Sequence, residues 1–561
     1  MPDTDSLGGA PESERPVPSG SLGTPEPSVS PLRSAFAGLT RNAHDIAITV
    51  ALALLCLTHR IQTLEPVNTG GDAATKWQFV REWFFKHDFA HAEWNHHMTR
   101  FGVLVPAYLS QLLLGHGIRA YYAAPLAACV VQVVFVYACG KRLSGRLAGV
   151  LGALLLIYTS LMATAGSQLL PDLFTGTYAI VMTYLYLRHA DAQGKARTAW
   201  LIGSALCAFV GYLAKETMVF FYPGMAIAIW LAACNHGERE ATPFKAKLKP
   251  LLVFFGVLLV GLALETLAYR VFTGYHSRAS IVVASHIGNG DEGGRADTTF
   301  WKLFDRYLHI DKGWVLAFYV FLPCWLGLLG FAKNYRVRGL LSVVASFFFL
   351  LTFLVRSLNP LLLWQRFMSR YLDPTAPFVQ LVTALFVALV VEQLWQERGS
   401  GRVSQQLGRL ERYSATFLLV SCAALAASSY LDLKEEGSRA LTQGRELTEI
   451  SNDAYARNLP IVIRKSRIGG PAYARDVLAI YAIYIEPKAL LRGGRLPSFE
   501  EAKRVSGSFT YLVRNPKAYS AAKLNHMLDA GCALEVRENT PTMSVSPAGS
   551  LPTSCDTELA N

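Results

Sequence analysis

Residues 68–77 of the chain read Asn-Thr-Gly-Gly-Asp-Ala-Ala-Thr-Lys-Trp, a polar stretch that follows the first long apolar run, at about 45–62. That run is long enough to cross a bilayer, because a membrane-spanning helix needs roughly 20 apolar residues. Apolar runs of similar length recur as far as about residue 430. The polar stretch, with its carboxylate Asp72, is therefore predicted to lie just outside the first of many membrane spans.

The composition agrees with a membrane protein. Of the 561 residues, 52% are apolar and only 17% are charged, against roughly 25% charged residues in soluble domains. The net charge of +12 comes from basic residues that cluster in short loops between the apolar runs. This distribution orients a membrane protein in the bilayer. Together with the lack of any DNA- or RNA-binding motif, it excludes a nucleic-acid partner.

The apolar runs predict an all-α polytopic membrane protein. A shorter apolar segment, 101–114, contains Pro106 and is predicted to be a helix at the membrane interface. Eleven spans are predicted, at about 45–62, 119–140, 148–165, 170–188, 199–214, 217–234, 251–270, 314–332, 339–356, 372–394 and 414–431.

The basic loops predict that the N-terminus is cytoplasmic. With that orientation every short inside loop carries lysine or arginine, as the positive-inside rule requires. The two long loops, 63–118 and 271–313, and the tail from 432 then lie on the outer side. This arrangement is typical of an enzyme that works at the outer membrane surface.

The chain is divided by composition into four regions. Residues 1–40 are predicted to be a disordered cytoplasmic tail and 41–431 a transmembrane module. Residues 432–540 contain short β-like runs and are predicted to form a small α/β domain, followed by a disordered tail, 541–561. Two cysteines of this C-terminal region, Cys532 and Cys555, can form a disulfide if it lies outside the cytoplasm.

Several charged residues lie near the predicted outer membrane surface, where the short loops otherwise carry few charges. Ionisable groups at the membrane are costly, so they indicate a functional site. Near the predicted outer surface they are Asp172, Lys215, Glu216, Glu265, Arg356, Arg366 and Arg370.

Clustered cations beside a bilayer are suited to an anionic lipid headgroup. Arginine binds phosphate through two hydrogen bonds and lysine binds it as a point charge. The same cations would stabilise a departing phosphate, and Asp72 could take the proton from an attacking hydroxyl. One base and several cations would suffice for a single displacement with inversion at a sugar carbon.

Each of these residues also has a simpler interpretation. Asp72 could cap the helix that follows it, and Asp172, after Pro171, suits a helix start. Lys215 and Glu216 could form a local ion pair, and Arg370 could reach toward lipid headgroups.

The aromatic and histidine residues of the first outer loop favour structural roles. His96 and His97 are better suited to hydrogen bonding than to metal binding, because adjacent residues chelate poorly. Apolar and aromatic residues at helical spacing predict a helix that lies on the membrane surface. They are Trp77, Val80, Trp83 and Phe84.

Taken in order, the residues of 62–395 resemble the GT-C glycosyltransferases. The resemblance is to the bacterial branch with the protein O-mannosyltransferases and the aminoarabinose transferases of lipid A. Gly211 and Lys215 resemble a Gly-x-x-x-x-Lys segment of the family, although only three residues separate them here. The other matching segments are Gly71-Asp72, Arg100-Phe101-Gly102, Asp172 and Arg370-Tyr371-x-x-Pro374.

This resemblance implies a GT-C fold and a polyprenyl-phosphate sugar donor, with a glycan, lipid or protein as acceptor. It implies that Asp72 is the catalytic base and that Lys215, Arg370 and Tyr371 bind the donor phosphate. Asp172, Glu216 and His97 would orient the acceptor or the site. No metal ion or other cofactor is required by the sequence.

The implied location is a bacterial plasma membrane, with the C-terminal domain in the periplasm. Two alternatives remain at this stage. One is a membrane transporter or flippase for lipid-linked sugars, which would place charges in the middle of spans and show internal repeats. The other is a scaffold of a polysaccharide assembly complex with no activity of its own.

Overall fold

The structure is a computed structural model. It describes residues 31–64, 96–115, 117–159, 165–235, 244–287, 312–331, 334–353, 355–358, 361–363 and 369–400, together with five short strands between 461 and 546. Within 65–95 it describes Ala73, Lys76, Trp77, Phe79 and Val80. The predicted base Asp72, the predicted span at 414–431, and Cys532 and Cys555 lie outside the described residues.

Helices dominate the described part of the chain. In order, the α-helices are α1 (Pro31–Gln62), α2 (Phe101–Leu114), α3 (Ile118–Ser144), α4 (Arg146–Tyr158), α5 (Pro171–Asp191), α6 (Gly194–Ala214), α7 (Tyr222–Asn235), α8 (Phe244–Thr273), α9 (Arg278–Ile287), α10 (Lys312–Phe331), α11 (Tyr335–Thr352) and α12 (Ala376–Ser400). Two 3₁₀ helices, Glu216–Phe221 and Ser369–Thr375, precede α7 and α12.

Among the described residues, seven helices are long and apolar enough to cross a membrane. The predicted spans at 148–165, 170–188 and 314–332 correspond to α4, α5 and α10, which are shorter or less apolar. The outward side of α8 is strongly apolar: Leu252, Leu259, Val260, Leu264, Leu267, Val271 and Phe272 are each more than half exposed. A continuous apolar surface of this kind is stable in contact with lipid. The prediction of an all-α polytopic membrane protein is confirmed.

The helices pack as neighbours along the sequence and across it. α5 lies against α3 and α6, α7 lies against α11, and α4 lies against α3 and α12. Arg60 of α1 is buried and donates hydrogen bonds to the carbonyl oxygens of Leu156 and Ile157, at 3.1 and 3.0 Å. Because the last carbonyls of a helix have no partner within it, Arg60 caps the end of α4 and joins it to α1.

The helix in the first predicted outer loop has the bounds that the sequence indicated, 101–114. Its Leu112, Leu113 and Leu114 are more than half exposed, as expected at a membrane interface. The predicted surface helix before it is different, because Trp77 and Val80 are fully buried. For these two residues the prediction of a membrane-facing position was wrong: Trp77 packs edge to face on Tyr121, with ring centroids 5.5 Å apart.

Regular structure also extends into both predicted tails. α1 begins at Pro31, within the region 1–40. Proline is well tolerated in the first turn of a helix. At the other end, β7 occupies Thr542–Ser546. The remaining strands are β1 (Val355–Leu358), β2 (Leu361–Leu363), β3 (Ile461–Arg464), β4 (Lys503–Ser506), β5 (Phe509–Leu512) and β6 (Leu534–Asn539).

The C-terminal strands form a five-stranded mixed sheet in the order β4-β5-β3-β6-β7. β3 and β6 are parallel, with Ile461 opposite Leu534, and the other pairs are antiparallel. β3 and β5 lie within 432–540, the region in which the sequence predicts short β-like runs. The small α/β domain stays a prediction, because the segments between these strands lie outside the described residues.

A glycine contact sets the distance between α3 and α4. A Cβ on Gly140 would lie 2.7 Å from the Cα of Gly149, a distance at which one backbone must move. By contrast, a Cβ on Gly256 of α8 would have no atom within 4 Å.

We expect Gly140→Ala to lower thermal stability in detergent, because the added methyl overpacks a backbone contact at a cost of about 1–3 kcal/mol. Gly256→Ala is the matched control and should leave stability unchanged or raise it slightly, since alanine is favoured over glycine in helices by about 1 kcal/mol. Thermal unfolding of the purified variants measures both. Equal stability of the two variants would contradict the close packing of α3 and α4.

Candidate functional site

The site is built around Lys215, where the helical backbone is interrupted. α6 ends at Ala214, Lys215 is extended (φ −158°, ψ 143°), and a 3₁₀ helix begins at Glu216. The side chain of Lys215 is buried and forms an ion pair and hydrogen bond with Asp172 Oδ1. Asp172 is 1% exposed and lies in the first turn of α5, where a negative charge is also favoured by the helix dipole.

Two of the other predicted donor-binding residues are beside this ion pair. The Nζ of Lys215 is 4.4 Å from the centroid of the Tyr371 ring, and the Cζ of Arg370 is 5.8 Å from the same centroid. Arg370 and Tyr371 belong to the 3₁₀ helix Ser369–Thr375, which packs against α5. A Cβ on Gly176 would lie 3.0 Å from the carbonyl oxygen of Pro374, so a larger residue here would require these two elements to move apart slightly.

Arg100 is a member of this cluster that the sequence did not predict as a site residue. It precedes α2, is 9% exposed, and its buried Nε has no hydrogen-bond partner among the described residues. A cation at the start of a helix is disfavoured by the helix dipole. The position of Arg100 directly before a predicted helix is therefore a feature of the sequence that could have indicated a site residue. α2 packs closely on the end of α6, next to Lys215. A Cβ added to Gly102 would lie only 2.5 Å from the backbone nitrogen of Ala214.

Several charges act on Lys215. Burial lowers the pKa of Lys215 below its ordinary value, Asp172 opposes this shift, and the charges of Arg100 and Arg370 add to it. Among the described residues, two arginines therefore add positive charge beside a buried lysine, and the carboxylates of Asp172 and Glu216 lie in the same region. Such a cluster would be stabilised by an anion, because the penalty for burying like charges together is relieved by opposite charge.

Glu216 follows Lys215 directly but binds a different partner. Its Oε1 is 2.7 Å from Nη2 of Arg278, at the start of α9. The interpretation of Lys215 and Glu216 as a local ion pair was wrong, since each pairs with a residue from another element. Arg278 was not among the predicted site residues either; in the sequence it resembles any other basic residue of a long loop.

Of the remaining predicted residues, His97 lies at the edge of this arrangement. His97 is in the turn that leads to Arg100, with its ring 3.7 Å from that of His96. This turn is tied to α8 by a 3.3 Å hydrogen bond from the Tyr269 hydroxyl to the carbonyl oxygen of Thr99. The side chains of Arg356 and Arg366 lie outside the described residues.

The segment that follows Asp72 is docked on the helices. The carbonyl oxygen of Trp77 accepts a hydrogen bond of 3.3 Å from Nε2 of Gln111 in α2. Tyr121, against which Trp77 packs, donates a hydrogen bond of 2.8 Å to Oε1 of Gln168, four residues before Asp172. These contacts join the first predicted outer loop to the segment that leads into α5.

The opposite end of α5 carries a second set of charges. Asp191 pairs with Arg142 of α3 at 2.5 Å and with Arg336 of α11 at 2.6 Å. Both arginines belong to loops that the sequence predicts on the cytoplasmic side, and they meet at the helix end far from Asp172. No group of three or more His, Cys, Asp or Glu side chains suited to a metal ion occurs in the described part of the chain.

Comparison with known proteins gives a family match and a set of structural matches. Residues 104–262 match the family model described as dolichyl-phosphate-mannose-protein mannosyltransferase. No curated protein sequence matches the chain.

The structural matches have low sequence identity. ArnT from Cupriavidus metallidurans bound to undecaprenyl phosphate has a TM-score of 0.50 and 12% identity, with 88% of this chain and 93% of ArnT covered. ArnT in the apo state has a TM-score of 0.49 and 12% identity, over 90% of this chain and 94% of ArnT. The archaeal oligosaccharyltransferase AglB from Archaeoglobus fulgidus has a TM-score of 0.44 and 12% identity, over 80% and 65%. Residues 104–262 of the chain are therefore similar to a mannosyltransferase family, and its fold is similar to that of ArnT.

Proposed function

We propose that the protein is an inverting glycosyltransferase that moves a sugar from a polyprenyl-phosphate donor to a hydroxyl acceptor. The reaction would take place at the outer face of a bacterial plasma membrane, with a glycan, a lipid or a protein as the acceptor. The observation that carries this proposal is the buried pair of Lys215 and Asp172, on whose lysine the charges of Arg100 and Arg370 also act.

The cluster is suited to the phosphate of the donor. Arg100 and Arg370 can each donate two hydrogen bonds to phosphate oxygens, and Lys215 adds a compact charge. The crystal structure of ArnT, which has the same fold, contains bound undecaprenyl phosphate, and this supports a lipid phosphate as the ligand. The Tyr371 ring, which is close to both Lys215 and Arg370, would form one wall of the pocket.

The chemical step would be a single displacement. The acceptor oxygen attacks the anomeric carbon from the side opposite the phosphate, while the carboxylate of Asp72 takes the hydroxyl proton. The bond between that carbon and the phosphate oxygen breaks, and its electron pair leaves with the polyprenyl phosphate. Because phosphate is a good leaving group and the cations stabilise its growing charge, no general acid is needed.

The other predicted residues receive supporting roles in this proposal. Asp172 would hold the Lys215 ammonium toward the phosphate, and Glu216 would fix the break in the chain through its pairing with Arg278. His97, in the turn before Arg100, would line the side of the site toward the first loop.

We expect Asp72→Asn to lower transfer by at least about 100-fold, because a general base typically contributes 10²- to 10⁴-fold. The measurement is mass spectrometry of envelope glycans from a strain that lacks this protein and expresses the variant. Asp88→Asn, the same substitution in the same loop, is the control and should restore the wild-type glycans. Wild-type glycans with Asp72→Asn, at equal protein levels in the membrane, would remove Asp72 from the mechanism.

We expect Lys215→Ala, Arg370→Ala and Arg100→Ala each to weaken the binding of undecaprenyl phosphate by about 10- to 100-fold, since a hydrogen bond to a charged group is worth about 1.5–3 kcal/mol. Binding to the purified protein in detergent measures this. Lys195→Ala, at the exposed opposite end of α6, is the matched control and should bind like the wild type. Unchanged affinity in all three cluster variants would contradict the proposed phosphate site.

A further inference from the structure

Arg278 is a buried cation on the second predicted outer loop. It is the first residue of α9, and its side chain is 2% exposed. The start of α9 is fixed by a reciprocal pair of hydrogen bonds: the backbone N–H of Ser280 donates to Oγ of Ser277 at 3.3 Å, and that of Ser277 donates to Oγ of Ser280 at 3.2 Å. Paired caps of this kind hold the first turn of a helix in place, so the position of Arg278 is well defined.

The guanidinium of Arg278 contacts both sides of the break at Lys215. Its Nη1 donates a 2.7 Å hydrogen bond to the carbonyl oxygen of Tyr212, three residues before Lys215. Its Nη2 donates a 2.7 Å hydrogen bond to Oε1 of Glu216, one residue after it. The Cζ atom is also 4.9 Å from the centroid of the Tyr212 ring. The Tyr212 carbonyl lies near the end of α6, where carbonyls lack helical partners, and Arg278 supplies one.

Two further cations act on Glu216 electrostatically. It directly follows Lys215 in the chain, and the charges of Arg100 and Lys215 act on its carboxylate. If Glu216 were released, its carboxylate would compete with a phosphate anion for these cations. The ion pair with Arg278 holds Glu216, and Glu265 Oε1 is 3.8 Å from Nη1 of the same arginine.

We infer that Arg278 is a positioning residue of the donor site: it keeps Glu216 away from the cations that bind the donor phosphate. The inference rests on the proposed function, because it assumes that Arg100 and Lys215 bind a lipid phosphate. It assigns to the second outer loop a direct effect on donor affinity, through one side chain.

The test is the binding of undecaprenyl phosphate to the purified full-length protein in detergent. In Arg278→Gln the released Glu216 competes with the phosphate, so affinity should fall by about 10-fold. In the double variant Arg278→Gln/Glu216→Gln the competing carboxylate is absent, so affinity should return to within about twofold of the wild type. Arg270→Gln, an exposed arginine at the end of α8, is the matched control and should bind normally.

The outcomes separate this inference from the proposal on which it rests. Wild-type affinity in Arg278→Gln, with weak binding in Lys215→Ala, overturns the role of Arg278 and leaves the phosphate site standing. Equal weakness of the single and double variants overturns the competition and shows that Arg278 acts only on the fold. If the wild type binds no better than Lys215→Ala, the proposed phosphate site itself is wrong.

A charge-preserving variant keeps the inference testable if Arg278→Gln does not fold. Arg278→Lys retains a cation that can pair with Glu216, so we expect affinity within about threefold of the wild type. A loss of 10-fold or more in that variant, at unchanged thermal stability, would contradict an electrostatic role.

Discussion

The buried ion pair between Lys215 and Asp172 is the interaction on which the rest of the site depends. An ammonium group is costly to bury, and a partner held in place by other contacts is needed to keep it there. That partner comes from the first turn of α5, while Lys215 comes from the end of α6. The pair therefore fixes the ends of two packed helices against each other, and removing either member would cost about 3–5 kcal/mol.

The same ion pair is the centre of the cluster on which the proposed donor site depends. Asp172 pairs with Lys215, and the charges of Arg100 and Arg370 also act on that lysine. Proteins rarely gather buried cations without an anion to balance them. In the proposed function, a phosphate group attached to a lipid satisfies this requirement, because its charge can enter the cluster while its chain remains in the bilayer. The fold class and the electrostatics are both compatible with that proposed donor.

Much of the fold could be predicted because it depends on local patterns. Long apolar runs require helices in a membrane, and the bounds of α2 were predicted to the residue. Asp172, Lys215 and Arg370 were predicted as site residues because their charges depart from the pattern of the outer surface, and Tyr371 because Arg370-Tyr371-x-x-Pro374 resembles a segment of the family.

Partners could not be predicted in the same way. Lys215 and Glu216 are neighbours in the sequence, yet their partners come from α5 and α9, which are fixed by packing over the whole chain. Trp77 is buried because its segment folds back on Tyr121, a contact that no local pattern encodes. Arg278 resembled an ordinary loop residue for the same reason.

The extended backbone at Lys215 explains how two adjacent opposite charges avoid each other. Successive side chains along an extended segment point to opposite sides of the backbone. Where α6 ends, the ammonium of Lys215 is directed toward Asp172 and the carboxylate of Glu216 toward Arg278. The irregular backbone is thus what makes a lysine next to a glutamate available to an anion.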